Sequence, residues 1–219
     1  MRLTSIVRTG VAVFVFISAR VASMKNPTAR PPLSSSRIAV RQATADEAHP
    51  LLTDMINAAF RHYIEQFAKD LTADRVTKDG KEVMTLMETP DNVFLVAEET
   101  NGDDNSKSLV GCVHVCWSGV TDSGDEDVDA HFGMLSVPKE CSGRGIGKLL
   151  VSAAEERCRN ELRRSNINME ISVVSFFPEL FKWYEAQGYR KKRTMPFPYP
   201  ELVRDGCDFQ LQLMAKTIP

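Results

Sequence analysis

Hydrophobic and polar positions change period along this chain, and each change marks the edge of an element. Residues 37–43 alternate as a half-buried strand does. Over residues 45–67, Leu51, Leu52, Met55, Ile56, Ala59, Phe60 and Tyr63 recur at helical spacing, behind a Thr44/Glu47 capping-box pair, which predicts a first helix. A second helical stretch covers residues 71–87 and stops before Pro90. Residues 93–98 and 109–117 are apolar and β-branched around a turn-rich segment at 101–106, and together predict an antiparallel hairpin.

The second half repeats the alternation of strand and helix. Residues 131–137 read as a buried central strand, followed by a helix over 145–164 with Ile146, Leu149, Leu150, Ala153, Cys158 and Leu162 turned inward. Another buried strand covers 168–174. A short helix then lies between Pro178 and Gly188, residues suited to a helix start and to the position past its end. Residues 189–195 and 207–216 form the last two strands. Between them, Pro196, Phe197, Pro198, Tyr199 and Pro200 make a stiff aromatic loop, either the wall of a substrate pocket or a braced surface turn.

Candidate chemistry concentrates where the central strand ends. After Pro138 comes Ser142-Gly143-Arg144-Gly145-Ile146-Gly147-Lys148, three glycines at alternate positions opening a helix. Bare backbone there lets several N–H groups face one anion, with the helix dipole, Arg144 and Lys148 adding positive field. The guest such a cradle suits is a phosphate or pyrophosphate. A Walker loop fits badly, because Ser142 stands at its first glycine and Leu149 at its metal-binding hydroxyl. A dinucleotide fingerprint fits badly too, since both glycine gaps are single and the loop lies two-thirds along the chain.

The segment instead resembles the acetyl-CoA loop of the GNAT acetyltransferase family, Q/R-x-x-G-x-G/A after a strand. Gly145 and Gly147 match the two small positions, and Ser142 replaces the usual Gln or Arg. A second block, Trp183-Tyr184-Glu185-Ala186-Gln187-Gly188-Tyr189, is similar to the family's Tyr-Glu-x-x-Gly-Phe/Tyr signature. The resemblance covers residues 37–216. It implies a mixed, mostly antiparallel central sheet flanked by helices, with a splayed central strand, in a domain over 37–219. It implies acetyl-CoA as cosubstrate, no metal, and transfer of an acetyl group to a primary amine of a small molecule or peptide.

The implied roles fall on named positions. Backbone groups of Leu135, Ser136 and Val137 would meet the pantetheine arm and the carbonyl oxygen. Amides of Ser142, Gly143, Arg144, Gly145, Ile146, Gly147 and Lys148 would hold the diphosphate. Tyr184 is the proposed general acid: a phenol with an ordinary pKa of about 10 suits donation to a thiolate whose own value is about 8.5. The base matches no motif. Glu98, Glu99, Asp129 and His131 all stand at predicted strand ends, and His131 has the most suitable unperturbed pKa. Two alternatives stay open: a relative that binds acyl-CoA without turnover, and a cradle for another nucleotide.

Composition adds bounds. At 219 residues, 43% hydrophobic and net charge -2, the chain suits one domain plus a tail, and it lacks the basic face of a nucleic-acid binder. Five cysteines, odd in number and without paired spacing, suit a reducing compartment. Cys112, His114 and Cys116 share a strand face, readable as metal ligands or as core residues. Residues 1–36 carry arginines and no acid, with an apolar run at 11–17 too short to span a bilayer. That segment reads as a mitochondrial presequence, a secretory signal, or leader ahead of a start at Met24, and the expectation is a cytoplasmic or mitochondrial protein. Five carboxylates over 121–129 either draw in a cationic amine or are simply solvated. A homodimer is open.

Overall fold

The computed structural model describes residues 36–70, 74–117, 129–163, 165–207 and 210–219. The leader at 1–35 and the acidic run at 121–128 lie outside these residues.

Seven strands form a single sheet in the order β1-β2-β3-β4-β5-β7-β6. Strands β1 (Arg37–Gln42), β2 (Asn92–Thr100), β3 (Lys107–Cys116) and β4 (Ala130–Ser136) follow one another antiparallel. β5 (Ile167–Val174) lies parallel to β4, and β7 (Gln210–Ile218) is inserted antiparallel between β5 and β6 (Arg190–Pro196). The expected mixed, mostly antiparallel sheet is therefore present. All seven residues of β4 are buried, the polar His131 and Ser136 among them.

Helices cover the sheet: α1 (Thr53–Phe67), α2 (Lys81–Glu88), α3 (Ile146–Leu162) and α4 (Pro178–Ala186). On β3, a Cβ at Gly111 would touch Ile146 and Leu150 of α3. His114, three residues on, faces the other way, toward Arg75, whose guanidinium lies 5.9 Å from the Phe60 ring of α1. Glycine at 111 is thus the condition for α3 to approach the sheet closely.

Three expectations need correction. The first helix does not run unbroken over 45–67: a 3-10 turn (Ala45–Glu47) and an irregular turn (Ala48–Leu52) precede α1. Pro50 has no N–H to donate, and His49 before it is extended at φ -142, ψ 134. The capping contact survives locally, with Thr44 N–H donating to Glu47 Oε2 at 2.8 Å. The second helix begins only at Lys81, after Gly80 at φ 72, while residues 71–73 lie outside the described set. The segment between is tied to α1 by Asn57, which both donates to Val76 O (3.0 Å) and accepts from Val76 N–H (2.9 Å). On α3 the buried stripe is Ile146, Leu150, Val151, Ala154, Glu155 and Cys158; Leu149, expected inward, is 40% exposed.

Candidate active site

The site begins with a failure of pairing. β4 and β5 are matched only at Ala130/Met169 and His131/Glu170; beyond these, β5 continues along β7 while β4 continues along β3. A register shift between Cys112 and His114 and a positive φ of 49° at Met134 turn β4 away at the same place. The two parallel strands part from Phe132 onward, so backbone groups of β4 on that side leave the ladder. Leu135, Ser136 and Val137, the residues assigned to the pantetheine arm, lie on this stretch and are buried.

From Val137 the chain turns into the glycine loop. Cys141 N–H donates to Pro138 O (2.9 Å) and Ser142 N–H to Lys139 O (3.2 Å), which removes Ser142 from the set of amides expected to face a diphosphate. Gly143 and Gly145 then adopt φ 77 and 81, a region closed to most side-chain-bearing residues. Gly145 caps α3, and the first backbone bond of the helix runs from Leu149 N–H to Gly145 O at 3.0 Å. The amides of Ile146, Gly147 and Lys148 precede that bond, as the first amides of any α-helix do. A Cβ on Gly147 would stand 3.4 Å from the Trp183 ring, so α4 closes one side of the loop. Arg144 does not point its charge at this cradle: it forks onto Glu99 of β2, with Nη1 donating to Oε2 at 2.9 Å. Lys148 is exposed and forms no ion pair among the described residues.

Tyr184 lies on the buried face of α4 with Leu180, as the spacing predicts. Its ring is enclosed by Phe132 of β4 (centroids 6.2 Å), Trp183 (4.9 Å) and Tyr189 (6.1 Å). The hydroxyl is buried and has no hydrogen-bond partner among the described residues. Burial raises its pKa well above the ordinary value, with the nearby Tyr63 of α1 adding to the shift. Tyr63 in turn packs edge-on against Phe177 at the head of α4 (4.6 Å). Tyr63 and Phe177 had no sequence signal beyond ordinary helix and strand-end patterning.

His131 is the last paired residue before the strands part. It is buried, neither ring nitrogen has a partner among the described residues, and burial pushes its pKa down to about 4. His114 lies beside it with Nε2 2.9 Å from Asn92 Oδ1; burial first, then the neighbouring His131 and Arg75, bring its pKa to about 3. The other three candidate bases are occupied. Glu98 is bound by Lys107 (2.8 Å) and Arg41 (2.7 Å), Glu99 by Arg144, and Asp129 accepts from Asn168 N–H at 2.8 Å. Hydrogen bonds from their basic partners hold the Glu98 and Glu99 carboxyls below the usual range, which makes both poor proton acceptors.

At the open end of the splay, the loop after β6 docks on the C-terminus of α1. Ala68 bridges to Val203, and Arg204 donates to Ala68 O and Glu65 O, each at 2.8 Å. Beside this contact Pro196, Phe197, Pro200, Cys207 and Gln210 border a groove of about 430 Å³. Pro196, Phe197 and Pro200 of the aromatic loop thus border a shallow depression. Cys112, His114 and Cys116 belong to no cluster of three or more metal-ligating side chains among the described residues. No helix of the described residues is long and apolar enough to cross a membrane.

Comparison with known proteins bears on this geometry. Residues 90–191 match the family model of the acetyltransferase (GNAT) domain. Comparison with curated protein sequences returns no match. Among solved structures, a Salmonella typhimurium protein determined with its cofactor acetyl-CoA superposes at TM-score 0.59 and 16% identity, over 84% of this chain and 95% of the other. The GNAT-family acetyltransferase of Streptococcus pneumoniae gives 0.57 and 16%, over 84% and 100%. The spermidine/spermine N-acetyltransferase of Vibrio cholerae gives 0.51 and 14%, over 82% and 92%. Identities this low speak to the fold alone. Family match and fold agree: residues 90–191 match the acetyltransferase (GNAT) domain, and the fold of the described residues is the one these solved structures share.

Proposed function

We propose that this protein is an N-acetyltransferase that uses acetyl-CoA to acetylate a primary amine of a small molecule or peptide. The observation that carries the reading is the Tyr184 hydroxyl, buried without a partner beside the parted strands, on the helix that also closes the glycine cradle through Trp183. A buried, unsatisfied hydroxyl costs roughly 1–3 kcal/mol, and a ligand atom that completes it returns that free energy on binding. The residues present therefore suit acetyl-CoA. When bound, it would supply an activated acyl carbon and a thiolate leaving group.

The amides of Gly143, Arg144, Gly145, Ile146, Gly147 and Lys148, with the Lys148 ammonium, are the groups to hold its diphosphate. The freed edge of β4 at Leu135, Ser136 and Val137 offers backbone bonds to the pantetheine arm. Tyr184 stays protonated through the physiological range, so Oη keeps a proton to offer the leaving sulfur, and its raised pKa makes it a weaker acid than an ordinary phenol. His131 is neutral over the same range and is the residue we assign to accept the amine's proton, its low pKa making it a weak base.

The test is thiol release. Purified protein mixed with acetyl-CoA and a panel of primary amines should release free CoA at a rate that depends on the amine. A second reading, an acyl-CoA-binding module without turnover, is favoured by the engaged carboxylates of Glu98, Glu99 and Asp129. Calorimetric binding of acetyl-CoA with no amine-dependent release would select it.

A further inference from the structure

We infer that Glu99, forty-five residues before the glycine loop, is the anchor that keeps the cradle in its binding shape. It is then a positioning residue for the acyl donor. The inference rests on reading that loop as the acetyl-CoA cradle.

Arg144 sits between two glycines of positive φ, and a Cβ added at either would meet no atom within 4 Å. Nothing packs against the tip of the loop at those positions. Glycines allow many backbone conformations, so a loop built this way loses its shape unless something outside it sets the shape. Behind the tip, the turn bonds end at Ser142; ahead of it, helical bonding begins at Leu149. The bidentate ion pair spans the gap. Nη1 and Nη2 of Arg144 donate to the two oxygens of Glu99, a planar fork that fixes orientation as well as distance.

Glu99 is itself well founded. It lies within β2 with its Cα opposite Ile38 of β1 and Ser108 of β3, and its side chain accepts a further hydrogen bond from Ser36. The flexible tip is thereby tied to a strand paired on both edges. Because the carboxylate consumes the Arg144 charge, diphosphate affinity falls to the amides and Lys148, whose directions the clamp maintains. Preorganisation of this kind acts on binding more than on the chemical step.

The experiment compares wild type with Glu99→Gln, Arg144→Lys and the double variant, by acetyl-CoA calorimetry and steady-state kinetics. Glu99→Gln should raise the Kd and KM for acetyl-CoA about tenfold while kcat at saturation stays within about twofold. Arg144→Lys keeps the charge but loses the fork, and should behave alike; the double variant should be no worse than either single one. Unchanged affinity in Glu99→Gln overturns the inference. Tighter binding overturns it too, because Glu99 would then be competing with the diphosphate for Arg144. Wild-type protein that does not bind acetyl-CoA overturns the reading of the loop itself, whereas wild-type binding with an indifferent Glu99 leaves that reading intact.

Discussion

Tyr184 and the two buried histidines carry polar atoms into places where water does not follow. Because the Tyr184 hydroxyl satisfies no partner within the described protein, its removal should not harm the fold. Tyr184→Phe is therefore expected to unfold at the same urea midpoint as wild type or a higher one, while kcat drops at least about tenfold and the acetyl-CoA KM rises, because the ligand loses the hydroxyl it completes. Unchanged turnover would remove Tyr184 from the mechanism. His114 and His131 make a different prediction. Both fold into sites where burial lowers their pKa, from 6.5 to about 3 and about 4. Below about pH 6.5 the unfolded chain takes up protons that the folded chain refuses. Stability contributed by neutral burial is complete above that pH and falls as the pH drops toward 4, at roughly 1 kcal/mol per pH unit for each imidazole. Urea midpoints compared at about pH 7 and about pH 5 check it; a flat profile would mean the imidazoles are not buried neutral.

At the scale of elements, the loop that opens α3 is governed by backbone shape. Gly145 has open space where a Cβ would be, yet its φ of 81 is one that alanine adopts only under strain. Gly145→Ala should cost about 1 kcal/mol of stability and weaken acetyl-CoA binding, although no atom clashes. Gly147 reverses the pattern: its φ is ordinary and an added Cβ meets Trp183 at van der Waals distance. Gly147→Ala should keep the wild-type melting temperature within a few degrees. Equal destabilisation by the two would show that steric contact with α4, not backbone conformation, controls the loop. The spacing of the three glycines was legible in the sequence. The Ser142 N–H turns instead onto Lys139 O.

Across the whole molecule, α3 is pinned to β7, beside the sheet's far edge strand β6, by a buried charge. Lys216 of β7 donates to both oxygens of Glu155 at 2.8 Å, and Tyr189 donates to Glu155 Oε1 at 3.0 Å. Replacing Lys216 by Met leaves a carboxylate that is 9% exposed with the phenol as its named partner. The expected loss is about 2 kcal/mol, below the cost for a fully buried pair because the Lys216 side chain keeps 26% of its surface. Urea denaturation measures it, and a loss under about 0.5 kcal/mol would mean the pair is a surface contact. This tie joins the helix that carries the cradle to the half of the sheet beyond the parted strands.

The order of elements, the central strand, the glycine cradle and the Tyr184 helix were determined by the sequence alone, because periodicity, glycine spacing and proline positions act over a few residues. The interruption at Pro50 was there to be read as well, in a residue that cannot donate a helical bond. Tertiary structure decided which charges remain for chemistry. Glu98 and Glu99 look alike in a strand-end pattern, yet one is taken by Arg41 and Lys107 and the other by Arg144, partners reached only through sheet register and helix packing. The fate of an ionisable group depends on what the fold brings within a few ångströms, and residues that far apart along the chain leave no local trace of their meeting.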